Sequence, residues 1–235
     1  MEIQFIFETF LSLLGGVPLT VQLAALAILG GLLIGLLVAG MRLSGHRVLI
    51  WPAWLYVQIV RSIPLLVLMF LIYYGLTQFS SIRASFLWPI LREPYWCAVI
   101  ALVINSSGYA AEVIRGGLQS VGRNEIEAAR ACGMSGFLLL RRIVLPLAIR
   151  QALPAYSNEM IAMVKATSLA SLVTLMDVTG IAASIASSSY RPIGVFVAAG
   201  AIYLALTAAL TQSVRLMEYR LTPHLRRAAL PADAQ

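Results

Sequence analysis

The sequence predicts an all-α integral membrane protein with five transmembrane helices, on three observations. Of 235 residues, 60% are hydrophobic and 11% charged, with a mean hydropathy of +0.87, whereas a soluble domain carries about 25% charged residues. Runs of about 20 apolar residues, the length that crosses a hydrocarbon core of about 30 Å, recur along the chain. The basic residues behind the net charge of +7 lie mainly between those runs. Such charges are topology signals first, so no nucleic-acid partner is expected.

The first span is read at 17–41. Glu2 and Glu8 precede it where a cleaved signal would carry positive charge, so it is expected to stay, and Gly30, Gly31 and Gly35 suit close helix packing. Next, Trp51, Trp54 and Tyr56 among apolar neighbours predict an interfacial helix, with Arg61 snorkelling to the boundary. Pro64 opens the second span, 63–79, at a position where its missing N–H costs little. The third span is read at 96–114, the fourth at 153–181 and the fifth at 193–214, the whole of 1–235 forming a single transmembrane domain.

Alternate loops hold Arg42 and Arg47; Arg115, Arg123, Arg130, Arg141, Arg142 and Arg150; then Arg215, Arg220, Arg226 and Arg227. The opposite loops hold only Arg83, Arg92 and Arg191. The positive-inside rule therefore places the N-terminus outside and the C-terminus in the cytoplasm. Cys97 and Cys132 are isolated from one another, as are His46 and His224, so neither a disulfide framework nor a metal site is indicated.

The cytoplasmic segment 115–152, about 38 residues, is too long for a plain connector. Residues 125–131 are good helix formers, followed by Gly133, which can take a left-handed conformation. A second short helix from Phe137 to Val144, stopped by Pro146, is expected to complete a rigid knob that docks on a partner.

The spacing Glu127-Ala128-Ala129, then Gly133, then Ile143, Leu145 and Pro146 resembles the EAA motif of bacterial ABC importer permeases. The resemblance implies the type I ABC importer permease fold, an inner-membrane location, and a coupling helix seated on an ATP-binding subunit. Further segments resemble the polar amino acid branch, which includes the histidine/lysine/arginine/ornithine, glutamine, arginine and opine permeases. Arg61-Ser62-Ile63-Pro64-Leu65 is similar to the branch's Arg-Gly-Thr-Pro-Leu, and Tyr109-Ala110-Ala111-Glu112 with Arg115-Gly116-Gly117 to the run leading into the loop, although Gly122 replaces a proline. Ala155-Tyr156-Ser157-Asn158-Glu159 resembles the histidine/lysine/arginine/ornithine permeases in particular. Lys165-Ala166-Thr167-Ser168-Leu169 is similar to the branch's Lys-Asp-Thr-Ser-Leu, with Ala166 in place of the aspartate.

A continuous helix over 153–181 is about 43 Å long, more than the hydrocarbon core needs, so a break is expected near Lys165, Thr167 and Ser168, whose hydroxyls can pair freed backbone groups. Glu159 is deep enough to face the bundle interior, and six residues of helical rotation point Lys165 to another side. Two roles are open to it: a contact with a substrate ammonium or side-chain cation, as the resemblance implies, or a structural pair with an arginine of this or a partner subunit. Asn105, Tyr109 and Glu112 share a face of the third span, either lining the same path or joining helices as polar contacts.

No phosphate-binding glycine loop precedes Lys165, the only lysine, so no cofactor is expected in this chain; ATP and Mg belong to partner ATPase subunits. No nucleophile or metal-ligand pattern defines a reaction, and the chain reads as a transport subunit. The expected partners are those ATPase subunits, a second permease subunit, identical or paralogous, an external solute-binding protein, an amino acid substrate and the lipid bilayer. The rival reading is a stand-alone channel or secondary transporter, though no inverted halves with matching interrupted spans are visible.

Overall fold

The computed structural model describes residues 2–221, with side chains placed over 4–219. Arg226, Arg227 and His224 lie outside the described residues. Helix α1 (Glu2–Leu14) was not expected: at 13 residues it is too short to span, but its apolar positions pack Leu13 against later helices. After the turn at Gly15 and Gly16, α2 (Val17–Leu43) forms the first spanning helix. Then follow α3 (Arg47–Ser62) and α4 (Leu65–Phe70), the latter continuing through a π turn and a 3₁₀ turn to Gln78.

The chain bends by 102° between α3 and the helix over Leu65–Gln78. The sequence causes this corner. Ile63 is extended (φ −85°, ψ 125°), as a residue before proline is steered to be, and Pro64 starts the next helix without needing an N–H partner. Two short helical turns, α5 (Ser80–Arg83) and α6 (Trp88–Leu91), lead to α7 (Pro94–Gln119), the second long spanning helix.

Beyond α7 come α8 (Arg123–Ala131) and α9 (Gly136–Leu139). The expected stop at Pro146 is corrected: α9 passes through a π turn, Leu140–Val144, directly into α10 (Leu145–Ala166). Pro146 directly follows this wider turn, in which the Leu145 N–H donates to the Leu140 carbonyl five residues back, and the chain remains helical through it. Segment 115–152 is accordingly helical at both edges, α7 running to Gln119 and α10 starting at Leu145.

Helix α10 ends at Ala166, where the chain tightens into a 3₁₀ helix, Thr167–Val173. The change of direction comes later than expected, at residues 174–177, before α11 (Val178–Ser189); the bend is 51°. Thr174 has φ 68°, and Asp177 caps α11 by accepting a 2.8 Å hydrogen bond from the Gly180 N–H. The Tyr203 hydroxyl from α12 (Pro192–Leu221) donates to the other Asp177 oxygen at 3.0 Å, leaving this fully buried acid with partners from two elements. A break needs satisfied backbone groups, and an aspartate cap supplies them better than the hydroxyls ten residues earlier.

Three helices are long and apolar enough to cross a membrane, and the two bent pairs raise the number to five among the described residues. The core lies where α2, α4, α7 and the 3₁₀ segment meet, around Leu23, Met69, Leu102 and Val173. A second cluster joins α1, α11 and α12. Helices α2 and α7 form the most extensive contact, because glycine lets them approach: a Cβ on Gly35 would lie 2.7 Å from the Ala110 Cβ and 3.0 Å from the Ala111 nitrogen. Gly35→Val is therefore expected to force these helices apart at a cost of about 1–3 kcal/mol. Thermal melting of the purified protein checks this, and an unchanged midpoint would argue against the close approach.

Candidate functional site

The 102° corner at Ile63 and Pro64 opens a cavity of about 570 Å³ between α3, α7 and α10. Arg61 and Ser62 stand at the end of α3, with Leu65 starting α4. From α7 come Asn105 and Tyr109, four residues apart and so on one face. From α10 come Glu159, Ala162, Met163 and Ala166, the i, i+3, i+4, i+7 pattern of one helical stripe, and Leu169 follows from the 3₁₀ segment. The α10 side is held to the bundle by the Tyr156 hydroxyl, which donates to the Ile28 carbonyl at 3.0 Å.

Two charges of opposite sign line this cavity. Glu159 is half-buried, and Arg61 lays its guanidinium over the Tyr109 ring, 5.2 Å from the centroid. Neither forms an ion pair among the described residues. Arg61 lines the cavity, since the corner at Pro64 puts the end of α3 beside α7. The sequence had flagged this arginine as a boundary residue and through the Arg61-Ser62-Ile63-Pro64-Leu65 segment, neither of which places it on a cavity wall. Ala162, Met163 and Leu169 carry no signal in a single sequence that separates a cavity wall from a packed core.

Glu112, on the expected face of α7, is turned elsewhere. It pairs with Arg42 of α2 and with Arg115, whose Nε and Nη2 donate to Oε2 at 3.1 and 2.7 Å. It joins α2 to α7 in the way polar contacts between spans do. Thr167 is buried and its hydroxyl donates to the Val164 carbonyl at 2.8 Å; Ser168 donates to the Lys165 carbonyl at 2.7 Å. Lys165 is exposed on α10. None of these three lines the cavity. The hydroxyls instead pair backbone carbonyls where α10 tightens into 3₁₀ geometry.

The knob is built from α8 and α9. Gly133 has φ +80°, and its N–H donates to the Arg130 carbonyl at 2.9 Å while Met134 N–H donates to Ala129 at 3.0 Å. This paired closure ends α8 with a left-handed glycine. Ala129 is buried under the turn, whereas Glu127 and Ala128 face outward. Ile143 and Pro146 are half-buried, and Leu145 lies at the start of α10. Beside them Phe137, Leu138 and Leu140 are exposed, an apolar surface adjoining the outer face of α8. Among the described residues no group of His, Cys, Asp and Glu is suited to hold a metal ion.

The fold is a bundle of bent spans with a helical knob and a cavity lined by two opposite charges. Residues 31–223 match the family of binding-protein-dependent transport system inner membrane components. The chain is 51% identical over 229 residues to the octopine transport system permease protein of Rhizobium meliloti, covering 97% of this chain and 94% of that one. It is 52% identical over 227 residues to the nopaline transport system permease protein of Agrobacterium fabrum, covering 96% and 94%. Its fold is similar to the crystal structure of an amino acid ABC transporter with histidines, with a TM-score of 0.82 and 34% identity, covering 94% of this chain and 98% of that chain. The chain belongs to this family of inner membrane components and is a permease subunit of an ABC importer, a multi-pass protein of the bacterial inner membrane.

Proposed function

We propose that this chain forms half of the membrane pathway of an ATP-driven importer for polar, chiefly basic, amino acids or opines. The single observation that carries the substrate class is the cavity facing Glu159, an ionisable group of the kind kept inside membranes for function, with no ion-pair partner among the described residues. The relatives that transport octopine and nopaline, and the amino acid transporter with histidines, support the same class. Asn105 and Tyr109 belong to that pathway, while Lys165, Thr167 and Ser168 support the helix that presents Glu159. The whole chain acts as one permease domain, its N-terminus outside and its C-terminus cytoplasmic, a reading the arginine distribution supports.

ATPase subunits dock on the knob through Glu127, Ala128, Ala129 and Gly133, with Ile143, Leu145 and Pro146 fixing its attachment to α10. A second permease subunit completes the pathway, and an external solute-binding protein delivers substrate. Glu127→Lys places the wrong charge on the exposed docking face and is expected to weaken association with the ATPase subunit several-fold without disturbing membrane insertion. Co-purification at wild-type stoichiometry would contradict the docking assignment. The functional test is uptake into proteoliposomes of the assembled complex, which should require ATP and the ATPase subunits. ATP-independent uptake by this chain alone would establish the channel or secondary-transporter reading instead.

A further inference from the structure

The cavity carries one guanidinium as well as one carboxylate, and the two are too far apart for an ion pair. The Arg61 guanidinium lies over the Tyr109 ring, 5.2 Å from its centroid, and donates to no acceptor among the described residues, so its N–H groups remain for one. Those groups form the planar fork that matches a carboxylate. Asn105, on the same α7 face as Tyr109, adds a neutral donor and acceptor to the cavity lining. At Ala166 the α10 wall carries only a methyl group, and among the described residues Glu159 is the only acid lining the cavity.

We propose that Arg61 holds a carboxylate of the transported molecule while Glu159 holds its cationic group, so that the cavity selects ligands bearing both charges and accepts those with a second carboxylate. This inference rests on the reading of the cavity as the substrate pathway. A site with Glu159 alone would favour any cation, with or without a carboxylate. A site with opposed charges rejects the cation whose carboxylate is blocked, because the guanidinium is then left without its anion. The single acid also matters: an aspartate at 166 would stand among the ligand's carboxylates and repel a second one.

The test is displacement of radiolabelled arginine from the assembled permease–ATPase complex in nanodiscs, without the solute-binding protein, whose own recognition would mask the effect. The competitors are arginine, arginine methyl ester and octopine. In the wild type the ester should bind at least about tenfold more weakly than arginine, the loss of one charge-assisted hydrogen bond. Arg61→Gln should bring arginine down to the level of the ester, with Arg61→Lys recovering part of the difference. Glu159→Gln should weaken both to the same degree and keep their ratio. Ala166→Asp should weaken octopine more than arginine. Every variant is normalised to assembled complex by size-exclusion chromatography. An arginine-to-ester ratio in Arg61→Gln equal to that of the wild type overturns the proposal, whether both affinities fall together, as they would if Arg61 only balanced Glu159, or neither changes. No binding of arginine to the assembled wild-type complex would overturn the pathway reading itself, and this inference with it.

Discussion

Gly133→Val is expected to abolish substrate uptake while the ATPase subunits continue to hydrolyse ATP or separate from the membrane subunit. Nothing lies within 4 Å of a Cβ added at Gly133, so the penalty is not a clash. It comes from the backbone: φ is +80°, and a β-branched residue held in that region costs about 1–3 kcal/mol. The cheapest relief is to rotate the residue back to negative φ. That breaks the closing bonds from Gly133 to Arg130 and from Met134 to Ala129, and swings α8 away from α9. Helix α8 carries the proposed docking face, while α9 leads through the π turn into α10, which carries Glu159. The break therefore falls between the proposed ATPase-docking part and the proposed substrate-facing part. Gly133→Asn is the control, because asparagine tolerates the left-handed region and should keep most of the uptake. Normal uptake by Gly133→Val would remove the rigid knob from the coupling path.

This position was legible in the sequence because a glycine after a run of helix formers has one local use. The same holds for Pro64, where local stereochemistry alone ends one helix and begins the next, and for Gly31 and Gly35, whose spacing puts two missing side chains on one face. Pro146 was misread because the sequence does not display a π turn: with Leu140–Val144 wound in that way, the proline directly follows the wider turn and the helix continues. The break in the fourth span was placed near the hydroxyls at Thr167 and Ser168, whereas the stronger capping group, Asp177, lies further on and takes its second partner, Tyr203, from another helix. A tertiary hydrogen bond of that kind has no trace in spacing. The positions of Glu112 and Arg61 were decided by tertiary contacts in the same way. Of the two roles open to Glu112, Arg42, seventy positions away, selects the contact between helices, and the corner at Pro64 brings Arg61 to the cavity wall.

Glu159→Gln is expected to lower the affinity for basic substrates by about one to two decades while leaving the complex assembled. The substitution keeps the shape of the side chain and removes its charge, so the cavity loses a charge-assisted bond of roughly 1.5–3 kcal/mol. Its own helix offers no neutralising group: Lys165 points to another side of α10 and is exposed, and Arg61, across the cavity, is not ion-paired to it. Were Glu159 instead a structural partner of an arginine in the second subunit, glutamine would leave a buried cation uncompensated and reduce the amount of assembled complex.

Uptake of arginine, histidine and glutamine by Glu159→Gln proteoliposomes, each normalised to assembled complex, separates these cases most directly, with ATP hydrolysis stimulated by the loaded binding protein as the measure of intact docking. The account predicts that arginine and histidine uptake falls at least about tenfold relative to glutamine while stimulated hydrolysis persists. Unchanged affinities and an unchanged order of preference would place the substrate path away from Glu159 and contradict the account.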